Sequence, residues 1–156
     1  MIEKKTKNKK PWLEFDFYVT LQVRWRDLDG YNHATNSVYL NYFEEARIGL
    51  FHKIKGFRDS FEEKGKYPYL GSTLVRTSIE FKNQAFLGQT LICAIRIDRV
   101  QKCFLDTIYS IYDKKNATLI AKGTASNVII NKKTFRPVTI PDEIMTEIQK
   151  LRTSIQ

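Results

Sequence analysis

The sequence predicts an α+β domain: an antiparallel sheet of about five strands wrapped round one central helix. The first observation behind this is the stretch 37–52. There Val38, Tyr42, Ala46 and Leu50 recur with Tyr39 and Phe43 at helical spacing, and Leu40, Ile48 and Phe51 fill the other side. A helix that is apolar nearly all round belongs inside a protein. The second observation is period-two alternation, once upstream of that helix and repeatedly downstream, the mark of half-buried strands. The third is a set of short polar links, Phe86–Gln89, Val100–Lys102 and Asp113–Asn116, which makes successive strands antiparallel neighbours.

In chain order, Val19, Leu21, Val23 and Trp25 alternate with Thr20, Gln22, Arg24 and Arg26 as a first strand. The central helix follows a polar loop. Gly49 within it costs about 1 kcal/mol relative to Ala, which a sheet backbone passing close by would explain. Residues 53–66 read as a helix end at Gly56 and a short second helix closed by Gly65, with Ser60 and Glu63 as a capping box. Four strand candidates come next, over Thr73–Phe81, Leu91–Ile97, Leu105–Ile111 and Thr118–Ile130. Gly123 interrupts the last and predicts a bulge or a close backbone contact. Pro137, Pro141 and the run Asp142–Leu151 read as a turn and a C-terminal amphipathic helix.

At 156 residues, with 42% hydrophobic and 13% aromatic content, the chain is one globular domain, 11–156, behind a basic tail, 1–10, expected to be disordered. No apolar run approaches a membrane span, and the Lys-rich start has no apolar segment behind it, so neither a span nor a secretory signal is expected. Cys93 and Cys103 do not face each other across the expected hairpin and read as free thiols of a reducing cytoplasm. His33 and His52 are not spaced as a metal pair, so no metal and no cofactor are expected. Of the net charge of +9, the first ten residues supply five lysines against one glutamate. The basic balance of the rest suits an anionic partner, whether coenzyme A phosphates, an acidic carrier protein or a nucleic acid, and does not choose among them.

Chemistry enters at the loop before the helix. Asp29 and His33 stand where a strand hands over to a buried helix whose first N–H groups lack internal partners and carry the positive end of the dipole. A carboxylate there offers a base or nucleophile next to a site for developing oxygen charge. Asp also favours turns, so Asp27 and Asp29 equally suit a plain loop. No Glu or Gln follows Asn36 or Ser37 at the third position, so no capping box closes the helix start.

The whole string Asp27-Leu28-Asp29, His33, Asn36, Tyr39-Leu40, Tyr42-Phe43-Glu44-Glu45-Ala46-Arg47 resembles the signature of hotdog-fold acyl-CoA thioesterases. The 4-hydroxybenzoyl-CoA thioesterase-like subgroup is nearest, and the plant acyl carrier protein thioesterases are more distant. The dense match covers residues 23–47, and the order of later elements agrees to about residue 141. The resemblance implies Asp29 as the catalytic carboxylate, a backbone N–H near Asn36 polarising the thioester carbonyl, and His33 as the motif histidine. Asn32, Ala34 and Thr35 depart from the motif's Gly, Val and Asn, and Tyr31 stands where the plant enzymes place an Asn. Another branch uses a helix glutamate; here Asp29 fills that role and Glu44 is expected to pair with Arg47. Lys82, Arg99, Lys102 and Arg136 are the candidates for coenzyme A phosphates. The implied substrate is an acyl-CoA or acyl carrier protein thioester, and the implied assembly a homodimer or homotetramer with sites at the interface; a nucleic acid partner is not expected. Alternatives are a hydratase or dehydratase of the same fold, whose Asp and His stand one residue further apart, or a non-catalytic acyl-CoA or nucleic-acid binding module.

Overall fold

A computed structural model describes residues 10–153. The basic tail lies, except for Lys10, outside the described residues. The elements are β1 (Phe17–Gln22), α1 (Val38–Lys53), α2 (Lys55–Asp59), β2 (Leu70–Phe81), β3 (Thr90–Gln101), β4 (Phe104–Asp113), β5 (Leu119–Asn131) and α3 (Asp142–Thr153). The strands form one antiparallel sheet in the order β1-β3-β4-β5-β2. The inner face of the sheet packs on α1, whose Ala46 and Leu50 are fully buried. Phe43 stacks on Tyr109 of β4 with ring centroids 4.3 Å apart. Trp12, in a short 3₁₀ turn before β1, packs on Ile92 and Ala94 at the outer face.

Some expectations change. β1 stops at Gln22 rather than running to Trp25, because Val23 bonds instead to the turn before β3: its N–H donates to Gln89 O and its C=O accepts from Gly88 N–H. The Asp27 carboxylate then accepts Arg24 N–H, which curls Trp25–Asp27 into a 3₁₀ turn. β2 and β3 are consecutive but not neighbours. Their link pairs with the Asp29 loop, through a His33–Phe86 bridge and Ala34 N–H to Ala85 O, instead of turning tightly. Gly56 does not end α1; Ile54 does, in extended conformation. Gly56 lies in α2 under Ile144 of α3, and the Glu147 carboxylate of α3 accepts the Lys55 and Gly56 N–H groups at 2.7 and 3.1 Å. The Ser60 hydroxyl donates to Phe57 O rather than forming a capping box, and residues 60–66 are turns.

The two glycines flagged by sequence mark close approaches. A Cβ at Gly49 would meet the ring of Phe17 in β1, so a side chain rather than backbone passes there. A Cβ at Gly123 would lie 2.2 Å from Ser78 O in β2 and 2.7 Å from Phe43 Cε2, and the register runs through Gly123 without a bulge. Gly123→Ala is therefore expected to cost about 1–3 kcal/mol by overpacking, read as a lowered thermal midpoint; an unchanged midpoint would show that β2 and α1 yield freely there.

Candidate active site

The Asp29 loop is a small closed hairpin. Leu28 bridges Ala34, Asp29 N–H donates to His33 O at 2.8 Å, and Asn32 N–H donates to Asp29 O at 3.2 Å. The turn needs a left-handed residue, and Asn32 supplies it with φ of 61°. Asn tolerates that conformation better than most residues, which explains how it replaces the motif's Gly. The Asp29 Oδ1 accepts Tyr31 N–H at 2.8 Å and His33 N–H at 3.2 Å. These two bonds orient an exposed carboxylate whose other oxygen has no partner among the described residues.

The loop is fastened to the start of α1. Thr35 N–H donates to Asp27 O at 2.8 Å, and Val38 N–H donates to Thr35 O at 3.0 Å. The Asn36 and Ser37 N–H groups have no hydrogen-bond partner among the described residues, and no side chain caps the helix. Two free donors at the positive end of a helix dipole therefore stand on the same short segment as the Asp29 carboxylate.

His33 is half-buried, with its ring edge-on to Phe86 at 5.2 Å. It meets Asp29 through its backbone N–H, not its imidazole. Lys82 sits at the Asp29 end of the sheet, where neighbouring Phe81 touches Tyr39 of α1, and it pairs with Glu80 at 3.0 Å. Arg99, paired with Asp106, together with Lys102 and Arg136, lies towards the other end of the sheet. β3 spans about 36 Å at roughly 3.3 Å per residue, so these three do not join Asp29 within one chain. Glu44 does pair with Arg47, as expected.

Sequence reasoning missed the anchor of the loop. Asp27 is only 2% exposed. Its carboxylate accepts Arg24 N–H at 2.9 Å, the Tyr42 hydroxyl at 3.0 Å and the Arg24 guanidinium at 3.3 Å. Burial pushes its pKa up, but these donors together outweigh burial and hold the carboxyl below its ordinary value. Burial, reinforced by the hydrogen bond to Asp27, pushes Tyr42 far above the ordinary tyrosine value. The spacing Arg24-x-x-Asp27, with a tyrosine on the buried helix, was the available signal.

Among the described residues, no group of three or more His, Cys, Asp and Glu can hold a metal ion, and no helix is long and apolar enough to cross a membrane. The profile of the thioesterase-like superfamily matches residues 23–148. No curated protein matches the chain. Among solved structures, the chain is similar to a thioesterase from Thermus thermophilus complexed with coenzyme A and Zn. The two share 25% identity over 90% of this chain and 96% of that one, with a TM-score of 0.74. It is also similar to a DHNA-CoA thioesterase from Staphylococcus aureus, at 20% identity over 89% and 94% of the two chains, with a TM-score of 0.75. The S. aureus protein SAV2348, in complex with CoA, matches at 16% identity over 88% of this chain and 84% of that one, with a TM-score of 0.76. With the fold and the profile in agreement, this chain belongs to the thioesterase-like superfamily and carries its hotdog fold.

Proposed function

We propose that the protein hydrolyses acyl thioesters of coenzyme A or of an acyl carrier protein, with Asp29 as the catalytic carboxylate. One observation carries this reading: a carboxylate oxygen without a partner, oriented by two backbone N–H groups, on a loop tied to two unpartnered N–H groups at the start of a buried helix. Asn36 and Ser37 N–H receive the thioester oxygen as it gains charge. Asp29 either takes a proton from water, whose oxygen attacks the carbonyl carbon, or attacks that carbon itself to give an anhydride that water opens. In both routes the C–S bond breaks and sulfur leaves as thiolate, which takes up a proton. The coenzyme A bound by two of the similar structures supports that carrier. Incubation with a panel of acyl-CoAs and detection of free thiol is the test; no release from any member overturns the reading.

The active form is a dimer or tetramer with the Asp29 loop at a subunit boundary. In a single chain β2 is an edge strand with Val75 57% and Phe81 47% exposed, a long unpaired edge of the kind that pairs with another chain. Antiparallel pairing of two β2 edges would bring the opposite end of a second copy, with its Arg99, Lys102 and Arg136, towards Asp29. Sedimentation is expected to show a dimer or larger at micromolar concentration, and a fully active monomer would contradict it. The free thiols of Cys93 and Cys103 suit a reducing compartment, and we place the protein in the cytoplasm.

A further inference from the structure

A cavity of about 190 Å³ opens between the second half of α1, α2 and the start of β2, and no residue of the Asp29 loop lines it. Phe51, Phe57, Leu70 and Ile129 form a buried apolar floor. The lining turns to solvent at Ile48, which is 43% exposed, at Phe61, which is 55% exposed, and at Lys132. His52, stacked on Phe61 with ring centroids 4.8 Å apart, holds that edge of the mouth. An apolar cavity of about 150 Å³ holds benzene, so this one takes an apolar body of about six carbons.

Charge at the mouth chooses the rest of the ligand. The charged residues in the lining, Arg47 and Lys132, are both basic. Arg47 is already matched by the Glu44 carboxylate, and its Nη1 donates to Ser72 Oγ at 3.2 Å. Lys132 is not matched. Its Nζ donates to Ser60 O and, at 3.3 Å, to Pro68 O, and no carboxylate among the described residues pairs with it. An ammonium has three N–H donors; the two carbonyls take two of them and neutralise none of the charge. A free donor and an uncompensated positive charge therefore stand beside an apolar cavity, which suits a monoanion with an apolar body. The two carbonyls also hold the ammonium in place, so little of its side-chain freedom is left to lose on binding.

We propose that this cavity is a second ligand site, for a small monocarboxylic acid. Its apolar body of about six carbons enters the cavity while its carboxylate bonds Lys132 Nζ. This binding is independent of the thioesterase reading. The test is calorimetric titration of the intact protein with cyclohexanecarboxylate. Its neutral amide, cyclohexanecarboxamide, has the body without the charge, and acetate has the charge without the body. The acid is expected to bind at least about tenfold more tightly than either, the lower end for a hydrogen bond to a charged group because Lys132 is open to water. Lys132→Met is expected to lose the preference over the amide, and Lys132→Arg, which keeps the charge, to retain most of it. Methyl resonances of Ile48, Leu70 and Ile129 are expected to shift on saturation of the unmodified protein, which reads the position without any variant. Equal affinity for the acid and the amide overturns the proposal. So does a preference unchanged in Lys132→Met, since the charge would then be read elsewhere. A silent titration at millimolar acid with unshifted methyl resonances overturns it too, as do shifts confined to the Asp29 loop.

Discussion

Asp29→Asn is expected to lower kcat by about 10²–10⁴, the usual worth of a general base, while KM stays within a few-fold. The substitution keeps an oxygen at Oδ1, so the bonds from Tyr31 and His33 N–H persist and the hairpin keeps its shape. What disappears is the second oxygen, the one with no partner, which either accepts a proton from water or attacks the carbonyl. The exposed position of Asp29 means that its removal leaves no buried hole, so the thermal midpoint should stay near that of the unmodified protein. His33→Ala is the counter-experiment. Its contribution to Asp29 is a backbone N–H that alanine retains, and its ring is engaged with Phe86, so the loss should be smaller. Activity surviving Asp29→Asn but abolished by His33→Ala would replace the carboxylate-centred mechanism with a histidine-led one.

Much of this architecture was legible in the sequence because its determinants are local. The run Val38–Phe51 repeats apolar residues at helical spacing, which fixes a helix with a buried face although Asn41, Glu45 and Ile48 stay exposed, and the β-branched alternation after Leu70 fixes strands almost irrespective of context. Pairing was less legible. A short link predicts a hairpin, but the link before β3 spends its hydrogen bonds on His33 and Ala34, an interaction between distant segments that no local pattern announces. Glu147 illustrates the same limit, since the carboxylate that caps α2 comes from α3. At the site, the pattern located the loop and the helix start, and Asn32 in a left-handed turn shows why a departure from the motif is tolerated. It did not rank the two aspartates by environment, because the burial of Asp27 is set by Tyr42 one turn into α1. Nor did it indicate that Arg47, on the helix, and Asn127, on β5, converge on one serine.

That burial changes what Asp27→Asn should do. From the motif alone the substitution is a mild control, with a loss of only a few-fold. In the structure Asp27 binds three groups by its carboxylate and a fourth, Thr35 N–H, by its carbonyl, so it joins the end of β1, the loop and α1. An asparagine oxygen can still accept from Arg24 N–H and Tyr42, but its NH₂ would then face the Arg24 guanidinium, donor against donor. The side chain of Arg24 is 45% exposed, so part of that loss is screened by water. The remaining cost should be about 2–4 kcal/mol, or a thermal midpoint lower by roughly 5–15 °C at neutral pH. Because the folded pKa of Asp27 is held below its ordinary value, its charge stabilises the fold above the ordinary carboxylate range. That contribution is lost as pH falls through the folded pKa, so the gap between the unmodified protein and Asp27→Asn should narrow only once pH drops below the ordinary carboxylate value of about 3.9. Melting both proteins across that pH range checks the sign. A gap that is absent at neutral pH, or that widens in acid, would show that the Asp27 charge does not hold the loop. Activity adds the second readout: Asp27→Asn should lose kcat and stability together, whereas Asp29→Asn should lose kcat alone.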